Sequence, residues 1–337
     1  NSVFPVEQAN VPQLVGYLGQ YVSGSTFGGR HRARPDFQNP LLANIVEEAM
    51  QDQLVTSFRD KIRGELITPT DTAYEEACEL YNGMIKKHPR LIARCTNVAD
   101  IMTAVNFGRE NDLLIAIRGG GHNGPGLGSC DDGLVIDLSM MKGVRVDPNA
   151  ATVQVEPGCT QGDVDHATHA FGLAVPAGIV STTGIAGLTL GGGTGYLTRK
   201  YGLTLDTLSE ADVVLANGEV VTSNEKSNPD LVWAIRGGGG NFGVVTNFVF
   251  KAHPVSTVFA GPIFWEIADA HKVMQKYRDF IGGAPEELGA FVGLKTVPSC
   301  APFPEEHWGK KICAIISSYN GSEADGRSAL APLLDEL

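Results

Sequence analysis

Two nucleophilic side chains in this sequence sit where a ligand would meet them. His122 follows a run of three glycines in LLIAIRGGGHNG, residues 113–124, and Cys159 follows Pro157 and Gly158 in VEPGCTQGDV. Glycines carry no Cβ, so a phosphate or a flat ring can approach the main chain, and successive N–H groups in such a turn converge on an anion. Arg118 adds a positive charge beside that cradle. A cysteine at the start of a helix lies near about half a positive charge, which lowers its pKa and favours the thiolate. Taken alone, the first stretch reads equally as an ordinary glycine-rich loop, and a lone cysteine reads as a buried structural thiol.

Periodicity supplies the elements that must position these residues. A strand at 91–94, a helix from Val98 to about Glu110 capped by Thr96 or Asn97, and a strand at 113–117 form a strand–helix–strand unit. Short strands follow at 134–138, 144–146 and 153–155, then a helix over 161–171 with Thr160 as cap. Residues 212–222 form a hairpin turning at Asn217-Gly218, and 244–250 form a strand. Upstream, helices are expected within 40–64 and from a cap at Asp71 or Thr72 through Met84. Beyond His253-Pro254 the glycine density falls. A strand at PIFWEI, a helix over 269–280, strands at 290–295 and 312–318 and a helix starting at Ser322 open a second pattern. With about one helix against three strands, one face and an edge of that sheet are expected to lie uncovered.

The longest glycine-rich run extends from Gly178 to Gly202. Ile185, Leu188 and Leu190 interleave with its glycines, which suits a packed segment against which a large planar ligand lies. Arg199 and Lys200 serve either phosphates or the surface. Gly119, Gly121 and Gly124 fit G-x-G-x-x-G, as do Gly238, Gly240 and Gly243. The first runs on into PGLGSCDDG and the second into a strand, where a dinucleotide fingerprint requires a helix, so the context argues against NAD.

The 337 residues suit about two domains, and 43% hydrophobic against 19% charged residues can bury a sizeable core. A net charge of −12 argues against a nucleic-acid partner, and the basic RHRARP at 30–35 reads as a solvated loop. No apolar run reaches the roughly 18 residues of a membrane span. The six cysteines form no CxxC, so no metal site is expected. No signal-like segment is visible, which leans towards the cytoplasm and otherwise leaves the compartment open.

With these residues set out, the chain resembles the berberine bridge enzyme-like branch of the vanillyl-alcohol oxidase and p-cresol methylhydroxylase flavoproteins. The resemblance rests on RGGGHN at 118–123, VEPGCTQGDV at 155–164, GIAGLTLGGGTGYLTRKYGLTLD at 184–206 and RGGGGNFGVVT at 236–246, in that order. It implies an α+β chain: a two-subdomain FAD-binding fold of the p-cresol methylhydroxylase type, followed by the start of an α/β substrate domain. The implied boundaries are an N-terminal extension at 1–63, the FAD-binding domain at 64–254 and a partial substrate domain at 255–337 whose C-terminal part is missing.

The resemblance also implies FAD as cofactor, bonded through the 8α-methyl carbon to His122 and through C6 to Cys159, as in the bicovalent subgroup. Arg118, Gly119, Gly120, Gly121 and Asn123 would surround the histidine, and Pro157 and Gly158 would flank the cysteine. Gly178, Thr182, Thr183, Gly184, Gly187, Gly191, Gly192 and Gly195 would line the cofactor along the long glycine run, with Gly243 and Val245 from the last motif. Thr183 falls at the position that gates oxygen access. Thr194 stands where plant members often carry Tyr or Phe, with Tyr196 two residues on. The implied chemistry is hydride transfer from an alcohol, sugar or secondary metabolite, with dioxygen as acceptor giving hydrogen peroxide. Partners would be that small molecule and dioxygen, with no nucleic acid, membrane or metal. The catalytic base is expected beyond Leu337; Tyr277, Glu266, His307 and Tyr319 are only loose candidates for it. The alternative is a scaffold that holds FAD without turnover, and a non-flavin nucleotide module stands third.

Overall fold

The computed structural model describes residues 52–334, and the elements below belong to the unit Val55–Leu337. The basic stretch at 30–35 and the earlier part of the first expected helix lie outside the described residues. From 52 to 59 the chain is helical, and Phe58 stacks on Phe107 with ring centroids 4.2 Å apart.

The first layer contains β1 (Glu65–Ile67), α1 (Tyr74–Cys78), β2 (Leu91–Arg94), α2 (Val98–Glu110), β3 (Ile115–Arg118) and β4 (Leu134–Asp137). Its sheet runs β1-β2-β4-β3, with β4 parallel to both neighbours and β1 antiparallel to β2. Of the two cap candidates for α2, Asn97 is the cap: its Oδ1 accepts the Asp100 N–H at 3.0 Å. β4 is apolar along its length because both faces are covered. Leu134 and Ile136 pack with Ile101 and Ala104 of α2, while Val135 packs with Ile67, Tyr74 and Ile92.

The helix expected from Asp71 or Thr72 through Met84 is much shorter, five residues at α1, with no side-chain cap. Asp71 instead accepts the Thr68 N–H at 2.7 Å and so closes the preceding turn. After Cys78 the chain extends, and the Tyr81 amide donates to Gly121 O at 3.3 Å.

The second layer holds β5 (Val144–Asp147), β6 (Thr152–Val155), α3 (Gln161–His169), β7 (Leu173–Ala174), α4 (Ile185–Leu190), α5 (Thr198–Tyr201), β8 (Leu208–Val214), β9 (Val220–Asn224), α6 (Pro229–Ile235) and β10 (Val244–Lys251). The antiparallel sheet runs β5-β6-β10-β8-β9. Val153, Val155, Val213, Phe248 and Phe250 form its buried side, joined by Val164 from α3 and Ile185 from α4. The packed apolar residues of the long glycine run are thus a short helix. The β8–β9 hairpin turns at Gly218, whose φ of 84° is the left-handed conformation that the Asn-Gly pair supplies.

The last elements are β11 (His253–Pro254), which pairs with β7, then β12 (Val258–Glu266), α7 (Ala270–Ile281), β13 (Leu288–Thr296), β14 (Lys311–Asn320) and α8 (Glu323–Leu334). The sheet runs β12-β14-β13. Both helices cover one face, where Val273, Leu330 and Leu333 meet Leu288, Cys313 and Ile315. On the other face Phe264 is half-exposed, and Phe291 tilts against Tyr196 at 5.7 Å. Gly289 of β13 leaves no room for a side chain, since a Cβ there would lie 2.8 Å from the Tyr196 Cα. This face therefore meets the glycine-rich layer at Tyr196.

Candidate functional site

β3 and β4 end side by side, and their register pairs Arg118 with Asp137. Arg118 Nη2 donates to Asp137 Oδ2 at 2.7 Å and Nη1 donates to Ala77 O at 2.8 Å, with both charged residues buried. The guanidinium expected beside a bound anion is instead committed to the interior, because a buried arginine needs a carboxylate more than a solvated one does. Arg199 and Lys200 are also drawn away from phosphates. Arg199 donates to the carbonyls of Ala284, Pro285 and Leu288, and Lys200 pairs with Glu287 at 3.3 Å.

Most of the glycines expected to face a ligand face other backbone. Gly120 and Gly184 lie against each other, Gly119 against Pro157 O, Gly158 against the carbonyls of Leu138 and Met141, and Gly195 against Ala177 and Gly178. Gly243 is pressed onto Val214, and the Val245 side chain is in the core. Gly191 closes α4 by donating to Gly187 O at 3.2 Å, and Gly192 follows at φ 121°. Asn123 Oδ1 accepts the Leu127 N–H at 2.9 Å and so shapes its own loop. Gly187 differs from the others: a Cβ built there would meet none of the described residues within 4 Å.

His122 stands at the meeting of three segments. Its Nε2 lies 3.1 Å from Thr182 Oγ1, its Nδ1 lies 3.3 Å from Thr183 Oγ1, and its ring stacks on Tyr81 with centroids 3.9 Å apart and planes 15° from parallel. Burial holds the imidazole pKa below its ordinary value, which favours the neutral ring with one unprotonated nitrogen. The threonines are fixed in turn. Gln161 N donates to Thr183 O at 2.9 Å, Gly162 N to Ser181 O at 2.9 Å, and Ile185 N to Cys159 O at 3.0 Å. The segment 181–185 is thereby fastened along the start of α3. Gln161 is buried there, and its Nε2 has no hydrogen-bond partner among the described residues.

Cys159 does precede α3, and Thr160 and Asp163 form a reciprocal capping box there. The thiol itself lies in the core. Cys159 is 0% exposed, its Sγ points to Gly143 O at 3.6 Å, and it packs with Val155, Val164 and Ile185. Burial pushes the thiol up to about 12, and the Asp163 and Glu156 carboxylates add to the shift, outweighing the positive charge of Lys142.

Comparison with known proteins finds a cofactor-binding domain. Residues 89–224 match the FAD binding domain family. An FAD-linked oxidoreductase of Dictyostelium discoideum is 39% identical over 281 residues, covering 82% of this chain and 58% of that protein. BBE-like 1 of Physcomitrella patens superposes with a TM-score of 0.75 at 31% identity, covering 83% of this chain and 59% of that one. The chain carries the FAD binding domain and is similar, over most of its length, to FAD-linked oxidoreductases of the vanillyl-alcohol oxidase and p-cresol methylhydroxylase type. A xylooligosaccharide oxidase from Myceliophthora thermophila C1, solved with xylobiose, superposes with a TM-score of 0.71 at 28% identity, covering 84% of this chain and 58% of that one. The chain thus spans under two thirds of the length of these relatives. The mixed helix-and-sheet architecture is the FAD-binding fold of that family, as the sequence implies.

The residues present fit a flavin on three observations. The α4 surface is open at Gly187, an unpartnered side-chain amide lies against Gly178, and a neutral imidazole is held by Thr182 and Thr183. The sequence reading missed Tyr81, Asp137 and Gln161. Asp137 had a signal, a carboxylate closing an apolar strand that runs parallel to one ending in arginine. Tyr81 and Gln161 had none, because their importance depends on which loops fold together.

Proposed function

We propose that the protein oxidises a small alcohol, sugar or secondary metabolite, with FAD bonded through the His122 imidazole and dioxygen as terminal acceptor. When bound, FAD supplies the hydride acceptor and the route of electrons to dioxygen, giving peroxide. The observation that carries this reading is the His122 ring, neutral and oriented by Thr182 and Thr183. The two hydroxyls engage both ring nitrogens and so hold the ring in place. Thr183, half-buried between the histidine and α3, is in this reading the oxygen gate. The proposal divides the chain into a cofactor-holding part over 64–254 and a donor-facing part from 255 on.

Attachment in this reading is single. Cys159 stays in the core as a protonated thiol, and the bond implied there by resemblance is not carried forward.

Anaerobic mixing with a panel of sugars and alcohols, followed by admission of dioxygen, tests the reading. Bleaching of the flavin by at least one donor and peroxide on re-oxidation are expected. A second reading, a flavin-holding scaffold without turnover, is favoured by the state of the base candidates. The Tyr277 hydroxyl donates to Ala290 O, Tyr319 packs against the core of the last layer, and Glu266 and His307 are exposed on the surface. Bonded flavin that no donor bleaches would establish that second reading.

A further inference from the structure

We infer that Tyr81 is a positioning residue: its ring holds the His122 imidazole in the orientation from which it bonds the flavin. The inference rests on the reading of His122 as the attachment point. Tyr81 lies 41 residues upstream in sequence, in a stretch without regular structure that braces the histidine loop. Besides the Tyr81 amide on Gly121 O, Asn82 Nδ2 donates to Gly124 O at 2.8 Å, and Lys87 Nζ donates to Gly126 O at 2.8 Å and Ser129 O at 3.0 Å. Ile85 fills the space a Cβ at Gly126 would need.

The exposure of Tyr81 shows what its ring does. At 67% exposed it contributes little to a core, and among the described residues its one ring contact is the flat stack on His122. The stack sets the plane of the imidazole, while Thr182 and Thr183 engage its two nitrogens from the far segment. Without Tyr81 the ring has hydrogen bonds but no wall. It can then swing outward on a loop that turns through Gly121 at φ 70°.

Attachment makes one bond, from imidazole nitrogen to the flavin 8α-methyl carbon. One N–H and one C–H hydrogen leave with two electrons, and dioxygen takes them up as hydrogen peroxide. A nucleophile that wanders from the line of approach forms such a bond more slowly, by factors on the order of ten to a hundred.

The test is the time course of attachment after FAD is added to cofactor-free protein, read as flavin fluorescence that stays with the denatured chain. Tyr81→Phe keeps the flat ring and is expected to attach at the unchanged rate. Tyr81→Ala, and Tyr81→Leu as a bulkier control, are expected to attach at least about tenfold more slowly. All three should melt within a few degrees of the parent, since the side chain is exposed. Attachment in Tyr81→Ala at the parental rate overturns the inference, and so does a Tyr81→Phe as slow as Tyr81→Ala. His122→Ala, run in parallel, separates the two claims. Loss of all bonded flavin in that variant leaves the attachment reading intact whatever Tyr81 does, and retention overturns both.

Discussion

Gly120 and Gly184 come from glycine runs that lie far apart in the sequence, and their backbones touch so closely that a methyl group on either would collide with the other's amide nitrogen. This contact joins the histidine loop to the segment that carries Thr182 and Thr183. Gly184→Ala is therefore expected to lower stability by about 1–3 kcal/mol through overpacking and to weaken FAD retention. Gly187→Ala makes the informative contrast. Its Cβ meets open space on a helix, so the cofactor-free chain is expected to gain up to about 1 kcal/mol while FAD retention falls. Urea denaturation with and without cofactor measures both.

The Arg118–Asp137 pair gives a second prediction. Both side chains are buried and linked at 2.7 Å, so removing one leaves the other as an uncompensated charge. Arg118→Met is expected to cost about 3–5 kcal/mol in urea denaturation of the cofactor-free chain. A loss of FAD binding with unchanged stability would instead return Arg118 to the role of anion partner.

Cys159 links the corrected site to alkaline stability. Below its ordinary pKa of 9.0 the thiol is protonated whether the chain is folded or not. Above that value the unfolded chain releases the proton, while the folded chain keeps it up to about 12, so stability falls as pH rises through this window. Cys159→Ala should reduce that alkaline slope, leave a residual slope from Cys95, whose thiol burial also raises, and leave flavin attachment unchanged.

On the acid side, burial lowers the pKa values of both His122 and His253 from 6.5. Below 6.5 the unfolded chain takes up protons that the folded chain refuses, so stability falls as pH drops towards the lowered values. The urea midpoint is expected to be lower at about pH 5 than at pH 8, and His253→Gln should remove part of the difference. The Asp100 and Asp163 carboxylates, whose pKa values are lowered from 3.8, act below this window.

Much of the fold was legible because local chemistry agreed with packing. Asn97, Thr160 and the Asn217-Gly218 turn act where the sequence places them, since a cap or a tight turn is decided within a few residues. α1 was over-extended because Asp71 resembles a cap until Thr68 engages it. The histidine loop was recognisable from RGGGHN, yet the purpose of its glycines was not. A sequence shows that Cβ atoms are missing, and only the fold shows that Gly120 faces backbone while Gly187 faces open space. Cys159 makes the same point: a helix start is visible in sequence, whereas the depth at which it lies is not.

The most direct test of the central claim is peptide mass spectrometry of the FAD-loaded protein after denaturation and digestion. One flavin per chain is expected, carried on the peptide that contains His122, with the Cys159 peptide recovered unmodified. Flavin released free on denaturation, or found bonded to the Cys159 peptide, would contradict it.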